Sequence, residues 1–196
     1  AILYFKKVVA TKPDFKMGFA NLGKAYIKLG QNKEALNSFE KALKIDTNSP
    51  EVYNNIGLAY YELSRFHESL SSFNKAIDLN PKYEKAYNNL GNLFNLLGRY
   101  EDSNNAYKKA IKIKPDYSKA YSNLLFNLIY KLDFDPKLYL LEAQQFRKNC
   151  KPKTNKKNLQ YKYKKEPEKL RLGLVSADFG NHPGGLFTLS TLAELS

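Results

Sequence analysis

The chain has 196 residues, of which 43% are hydrophobic and 14% aromatic, and its formal net charge is +13 at pH 7. This composition favours folded domains over disorder, and the sequence has neither the ~20 consecutive apolar residues of a membrane-spanning helix nor a recognisable signal peptide. Its single cysteine, Cys150, excludes an internal disulfide framework and fits a reducing compartment, so we expect a cytoplasmic location without membrane contact.

A period of 34 residues runs through most of the chain and divides it into similar units. Leucine or isoleucine followed by glycine recurs once per unit, as Leu22-Gly23, Ile56-Gly57 and Leu90-Gly91. Aromatic residues recur at 26, 60 and 94 and again at 39, 73 and 107, and alanine recurs at 42, 76 and 110. These residue types at this period resemble the tetratricopeptide repeat (TPR), whose units are helix pairs. The pattern therefore predicts an all-α TPR superhelix, or α-solenoid.

The units follow one another in chain order. Residues 1–15 match the second helix of a truncated TPR, so the chain is expected to begin within a repeat. Complete units follow at 16–49, 50–83 and 84–117. A fourth unit begins at Ser118, but Leu125 replaces its glycine and the register fades, so 118–150 is predicted to form degenerate TPR or transition helices.

Asparagine occupies position six of each first helix, counted from the first residue of the unit. The four residues are Asn21, Asn55, Asn89 and Asn123. At about 100° per residue, position six points about 150° away from the predicted core, so we expect an exposed row. An amide can pair with the N–H and C=O groups of an extended peptide, and the row therefore predicts a face that binds peptides and proteins. The alternative is inheritance with the repeat, since Asn54 and Asn88 recur at position five, where no row is required.

A lysine-rich segment follows the repeats. Between Arg147 and Lys169 there are ten basic and two acidic residues, and this difference supplies +8 of the total charge of +13. Residues 151–169 are therefore predicted to be a solvated linker, with a nucleic-acid or lipid contact as the less favoured alternative. Tyr161 and Tyr163 could stack on bases, but two aromatic residues are a weak indication of nucleic-acid binding.

The hydrophobic pattern changes again over residues 170–196. Residues 170–176 have the pattern of a strand in a parallel sheet, 178–185 have loop composition, and 186–195 have the pattern of a helix. This order predicts the first βα element of a Rossmann-like domain. The loop contains His182, and a lone histidine before proline is more often structural than catalytic.

The order of these features resembles the O-linked N-acetylglucosamine transferase family, including its Spindly-like and bacterial relatives. The similarity rests on the TPR units, the asparagine row, the charged linker and the fourteen residues LRLGLVSADFGNHP at 170–183, which resemble the opening of that family's catalytic region. By this resemblance, His182 lines the catalytic cleft, and Asp178 and Asn181 shape its loop. After Pro183 the chain departs from animal members, because Gly184-Gly185-Leu186 replaces a polar run that ends in a second histidine.

The resemblance implies a catalytic region of two Rossmann-like lobes (GT-B type). Its reaction is inverting transfer of N-acetylglucosamine, or a related sugar, from a UDP-sugar such as UDP-GlcNAc to Ser or Thr of proteins, without a metal. Because that family binds the nucleotide mainly with the second lobe, this chain alone is expected to be inactive and to bind no UDP. The alternatives are a non-enzymatic TPR scaffold for extended peptides and, from the charge alone, a nucleic-acid-binding protein. Homo-oligomers formed through the TPR units are also left open.

Overall fold

The computed structural model describes residues 1–129 and 135–150. In these two ranges the chain forms nine α-helices and no strand. The helices are α1 (Ile2–Thr11), α2 (Lys16–Ile27), α3 (Asn32–Ile45), α4 (Pro50–Glu62), α5 (Phe66–Leu79), α6 (Glu84–Leu96), α7 (Tyr100–Ile113), α8 (Ser118–Ile129) and α9 (Pro136–Asn149). The predicted linker at 151–169 and the predicted strand, loop and helix at 170–196 lie outside the described residues.

Each complete unit is a tightly packed pair of helices, in which α2 contacts α3, α4 contacts α5 and α6 contacts α7. The repeated glycine explains the close approach, because a Cβ atom at Gly57 would lie only 2.5 Å from a ring carbon of Phe73. The same 2.5 Å separation recurs between Gly91 and Tyr107. The aromatic ring of the second helix therefore lies directly on the backbone of the first. The all-helical repeat architecture predicted from the sequence is confirmed for the described residues.

The helix pairs stack along the chain, and their two helices occupy different sides of the stack. The first helices contact one another in succession, from α2 to α4, from α4 to α6 and from α6 to α8. Among the described residues, the second helices α3, α5 and α7 have no such contacts with one another. The side on which neighbouring helices lie closer together is the inner side of a curved stack. We call the surface of α2, α4, α6 and α8 on this side the inner face.

The fourth pair, α8 and α9, packs differently from the complete units. Leu125 stands in place of the glycine, and the two helices are joined by a stacked ring pair of Tyr121 and Phe146 with centroids 5.4 Å apart. Asn149 Nδ2 also donates a hydrogen bond to the Tyr121 hydroxyl at 2.8 Å. The α9 helix begins at Asp135, whose side chain accepts hydrogen bonds from the backbone N–H groups of Lys137 and Leu138.

Two searches of residues 1–129 and 135–150 returned nothing. None of their helices combines the length and apolar character needed to cross a membrane. These same residues contain no group of three or more His, Cys, Asp and Glu side chains arranged to hold a metal ion.

Candidate functional site

The four asparagines at position six lie on successive first helices, one on each of α2, α4, α6 and α8. Asn21, Asn89 and Asn123 are partly exposed, whereas Asn55 is only 8% exposed. The expectation of an exposed row is therefore wrong for Asn55 and holds in part for the other three. The reason is that the angular argument treats each helix alone, whereas α4 has a first helix packed on either side of it.

Hydrogen bonds link the asparagines of neighbouring units. Asn89 Nδ2 donates to Asn54 Oδ1 at 2.9 Å, from position six of one unit to position five of the preceding one. The next pair repeats this arrangement, since Asn123 Nδ2 donates to Asn88 Oδ1 at 3.2 Å. The sequence interpretation treated Asn54 and Asn88 as repeat background and missed these contacts. The signal was present in the sequence as asparagines 35 residues apart, at 54 and 89 and again at 88 and 123.

The pairing does not extend to Asn55. By the same spacing its partner position is residue 20, which is alanine and has no side-chain acceptor. In keeping with this, the buried Asn55 Nδ2 has no hydrogen-bond partner in the described part of the chain. A buried donor without a partner costs on the order of 1–3 kcal/mol, so α4 carries an unfulfilled polar group on the inner face.

Asn92 connects the row to the core of the third unit. Its Oδ1 accepts from Asn123 Nδ2 at 3.0 Å and from the Tyr107 hydroxyl at 2.8 Å. Burial raises the pKa of the Tyr107 phenol, so this group stays protonated and keeps donating at neutral pH. The Tyr107 ring also packs against Gly91, so the inner face and the helix-pair core share one residue.

The remaining inner-face positions are mixed in chemistry. Position nine of the four units carries Lys24, Leu58, Asn92 and Phe126. Lys24 Nζ forms an ion pair with Glu51 Oε1 at 2.8 Å, which joins α2 to α4 and neutralises both charges locally. The inner face therefore offers amide groups and some apolar surface without a strong excess of either charge.

A separate groove of about 520 Å³ lies between α1, α2 and α3. Three lysines, Lys6, Lys33 and Lys41, are among its lining residues, and none of the four position-six asparagines lines it. The groove is therefore distinct from the asparagine row.

The other residues predicted as site residues cannot be placed. His182, Asp178 and Asn181 lie outside the described residues, as does the linker at 151–169. The first two basic residues of the lysine-rich run, Arg147 and Lys148, lie in the last turn of α9, where positive charge interacts favourably with the helix dipole.

Family models match the repeated part of the chain. A model described as TPR repeat matches residues 23–64, and one described as tetratricopeptide repeat matches residues 48–116. Residues 23–116 are tetratricopeptide repeats. The TPR prediction is therefore confirmed, with the aromatic–glycine packing as its structural basis. No curated protein sequence matches the chain.

Solved structures similar to the chain are also TPR proteins. A crystal structure of MamA is 29% identical with a TM-score of 0.60, covering 76% of this chain and 84% of that one. The first TPR of Spaghetti (RPAP3), bound to the HSP90 peptide SRMEEVD, is 27% identical with a TM-score of 0.54, covering 57% and 89%. The Arabidopsis OM64 TPR domain, 23% identical with a TM-score of 0.56 and coverage of 59% and 96%, shows the shared fold alone. None of these descriptions names a glycosyltransferase.

Proposed function

We propose that the inner face of α2, α4, α6 and α8 binds an extended segment of another protein. Asn21, Asn55, Asn89 and Asn123 would hydrogen-bond the peptide backbone, so binding would depend little on the peptide's side chains. The observation that carries this proposal is the presence of one amide side chain per unit on four first helices that contact one another in series.

Two further observations support the proposal. The local charge on the face is balanced by the Lys24–Glu51 ion pair, so uncharged hydrogen bonding is the chemistry that repeats along the row. In addition, the similar TPR structure of RPAP3 carries a bound peptide. A stack of TPR helix pairs at this level of similarity therefore has the dimensions to accommodate a peptide.

Removal of the amides tests this function. We expect the combined substitution of Asn55, Asn89 and Asn123 by alanine to lower the affinity for a peptide by about tenfold or more, because several hydrogen bonds of about 1 kcal/mol each are lost. The probe is a fluorescein-labelled peptide of about twelve residues, rich in Ser, Thr and Pro so that it stays extended. Fluorescence anisotropy measures binding, and far-UV circular dichroism is expected to show unchanged helicity.

The matched control substitutes Asn74 and Asn105 by alanine, because both are exposed and lie on the second helices α5 and α7. The control protein should bind like the wild type. Equal affinity of the wild type and the triple variant would contradict the proposed function and return the asparagines to inherited repeat background.

A second candidate function is that the chain forms the N-terminal, substrate-binding part of a protein O-glycosyltransferase. The observation that favours it is the segment 170–183, which follows the repeats and resembles the opening of that family's catalytic region. The peptide-binding face would then supply acceptor proteins, and UDP-GlcNAc or a related UDP-sugar would be the donor. A non-enzymatic TPR scaffold is the alternative that shares the same inner face.

Sugar transfer by the natural full-length protein tests this second candidate. With radiolabelled UDP-GlcNAc and the Ser/Thr-rich peptide, we expect label in the peptide, and His182→Ala should lower kcat by about 100-fold if this side chain takes part in proton transfer. His67→Ala is the matched control, because His67 is exposed on α5. Peptide binding without any transfer would favour the scaffold.

A further inference from the structure

We infer that Asn54 and Asn88 are positioning residues, each of which fixes the amide of the next unit's position-six asparagine for peptide binding. This inference rests on the peptide-binding function proposed above. It assigns a role to position five of the unit, and it makes the four asparagines of the row unequal.

Burial separates the two positions. Asn54 and Asn88 are 3% and 4% exposed, whereas their partners Asn89 and Asn123 are partly exposed. A peptide on the inner face can therefore reach Asn89 and Asn123 but has almost no access to Asn54 and Asn88. Any influence of Asn54 and Asn88 on binding must act through the residues that they contact.

The contacts fix the direction of each exposed amide. Asn89 Nδ2 donates to Asn54 Oδ1 at 2.9 Å, and because the amide group is planar, Asn89 Oδ1 lies on the other side of Cγ. In the described part of the chain no hydrogen bond is formed by Asn89 Oδ1, so it can accept from a peptide N–H group. A side chain that is already fixed loses less rotational freedom when the peptide binds, and this raises the affinity.

Asn123 is fixed twice, because its Nδ2 donates to Asn88 Oδ1 at 3.2 Å and to Asn92 Oδ1 at 3.0 Å. Asn55 is the natural contrast, since the residue at its partner position is Ala20 and its Nδ2 has no partner among the described residues. The binding contribution should therefore be larger at Asn89 and Asn123 than at Asn55. The order follows from the residue at position five of the preceding unit.

Two opposite substitutions test the inference. Asn54→Ala removes the acceptor for Asn89 and should lower the affinity for the Ser/Thr/Pro-rich peptide about threefold to tenfold. Ala20→Asn supplies the missing acceptor for Asn55 and should raise the affinity by a similar factor, a gain that a merely structural residue would not produce. Asn88→Ala should have a smaller effect than Asn54→Ala, because Asn92 still accepts from Asn123.

Side-chain NH₂ signals in ¹H–¹⁵N spectra of the free protein give a second readout. In Asn54→Ala, hydrogen exchange at the Asn89 NH₂ group should become faster while the Asn123 group stays unchanged. In Ala20→Asn, exchange at the Asn55 NH₂ group should become slower. Asn74→Ala, on the outer helix α5, should change none of these signals.

The outcomes distinguish this inference from the function on which it rests. If the triple asparagine variant loses binding while Asn54→Ala and Ala20→Asn bind like the wild type, position five has no positioning role and only the inference fails. If the triple variant binds like the wild type, the proposed function fails and the inference falls with it. Should Ala20→Asn not fold, Asn54→Ala and Asn88→Ala still decide, since equal or absent effects of the two contradict the order given above.

Discussion

Ser64 has an unusual backbone conformation for its residue type. It lies in the turn between α4 and α5 with φ +58°, and the equivalent turns of the neighbouring units carry Gly30 and Gly98, both with φ +72°. Residues with a Cβ atom are strained in this left-handed region by about 1–2 kcal/mol. The turn therefore requires a conformation for which the second unit has a less suitable residue than its neighbours.

Replacement of Ser64 by glycine should stabilise the protein. We expect the free energy of unfolding to rise by about 0.5–1 kcal/mol, because relief of the strain exceeds the extra chain entropy that glycine adds to the unfolded state. Urea denaturation followed by circular dichroism measures the change. Ser71→Gly, at an exposed position inside α5, is the matched control and should destabilise by about 1 kcal/mol. Destabilisation by Ser64→Gly as well would show that the serine side chain supports the turn.

Among the elements, the boundary between α7 and α8 differs from the preceding one in chemistry. Asn127 Nδ2 donates to Ser103 Oγ at 2.8 Å and to Asn104 Oδ1 at 3.2 Å, all three side chains being buried. One unit earlier the residues equivalent to Asn104 and Asn127 are Leu70 and Leu93, which belong to an apolar cluster. Asparagine on both sides thus replaces leucine on both sides, and the buried polar groups satisfy each other.

The helix pairs could be predicted from the sequence because the period places glycine and aromatic residues at matching positions. Gly57 and Phe73 were expected to pack closely, and the 2.5 Å separation shows that no other residue fits there. Contacts between units could not be predicted in this way. The distance from Asn54 to Asn89 depends on how one first helix lies against the next, and a single-helix projection contains no such information. For the same reason the burial of Asn55 was missed.

At the scale of the whole molecule, each helix pair contacts only its neighbours, so stability should be a sum of terms for units and for their boundaries. The central helix α4 contacts α2, α3, α5 and α6. The terminal helix α1 contacts only α2 among the described helices and has no buried residue. Local opening should therefore cost less free energy at α1 than in the middle of the stack.

Hydrogen–deuterium exchange of the backbone amides can measure this difference. After correction for intrinsic rates, we expect the amides of α1 to exchange at least about tenfold faster than those of α4, since α1 can detach without disturbing another boundary. Ser64→Gly adds an internal control, because it stabilises the turn between α4 and α5 and should slow exchange in these two helices but not in α1. Equal protection of α1 and α4, with an equal response of both to Ser64→Gly, would show that the stack opens as one cooperative unit.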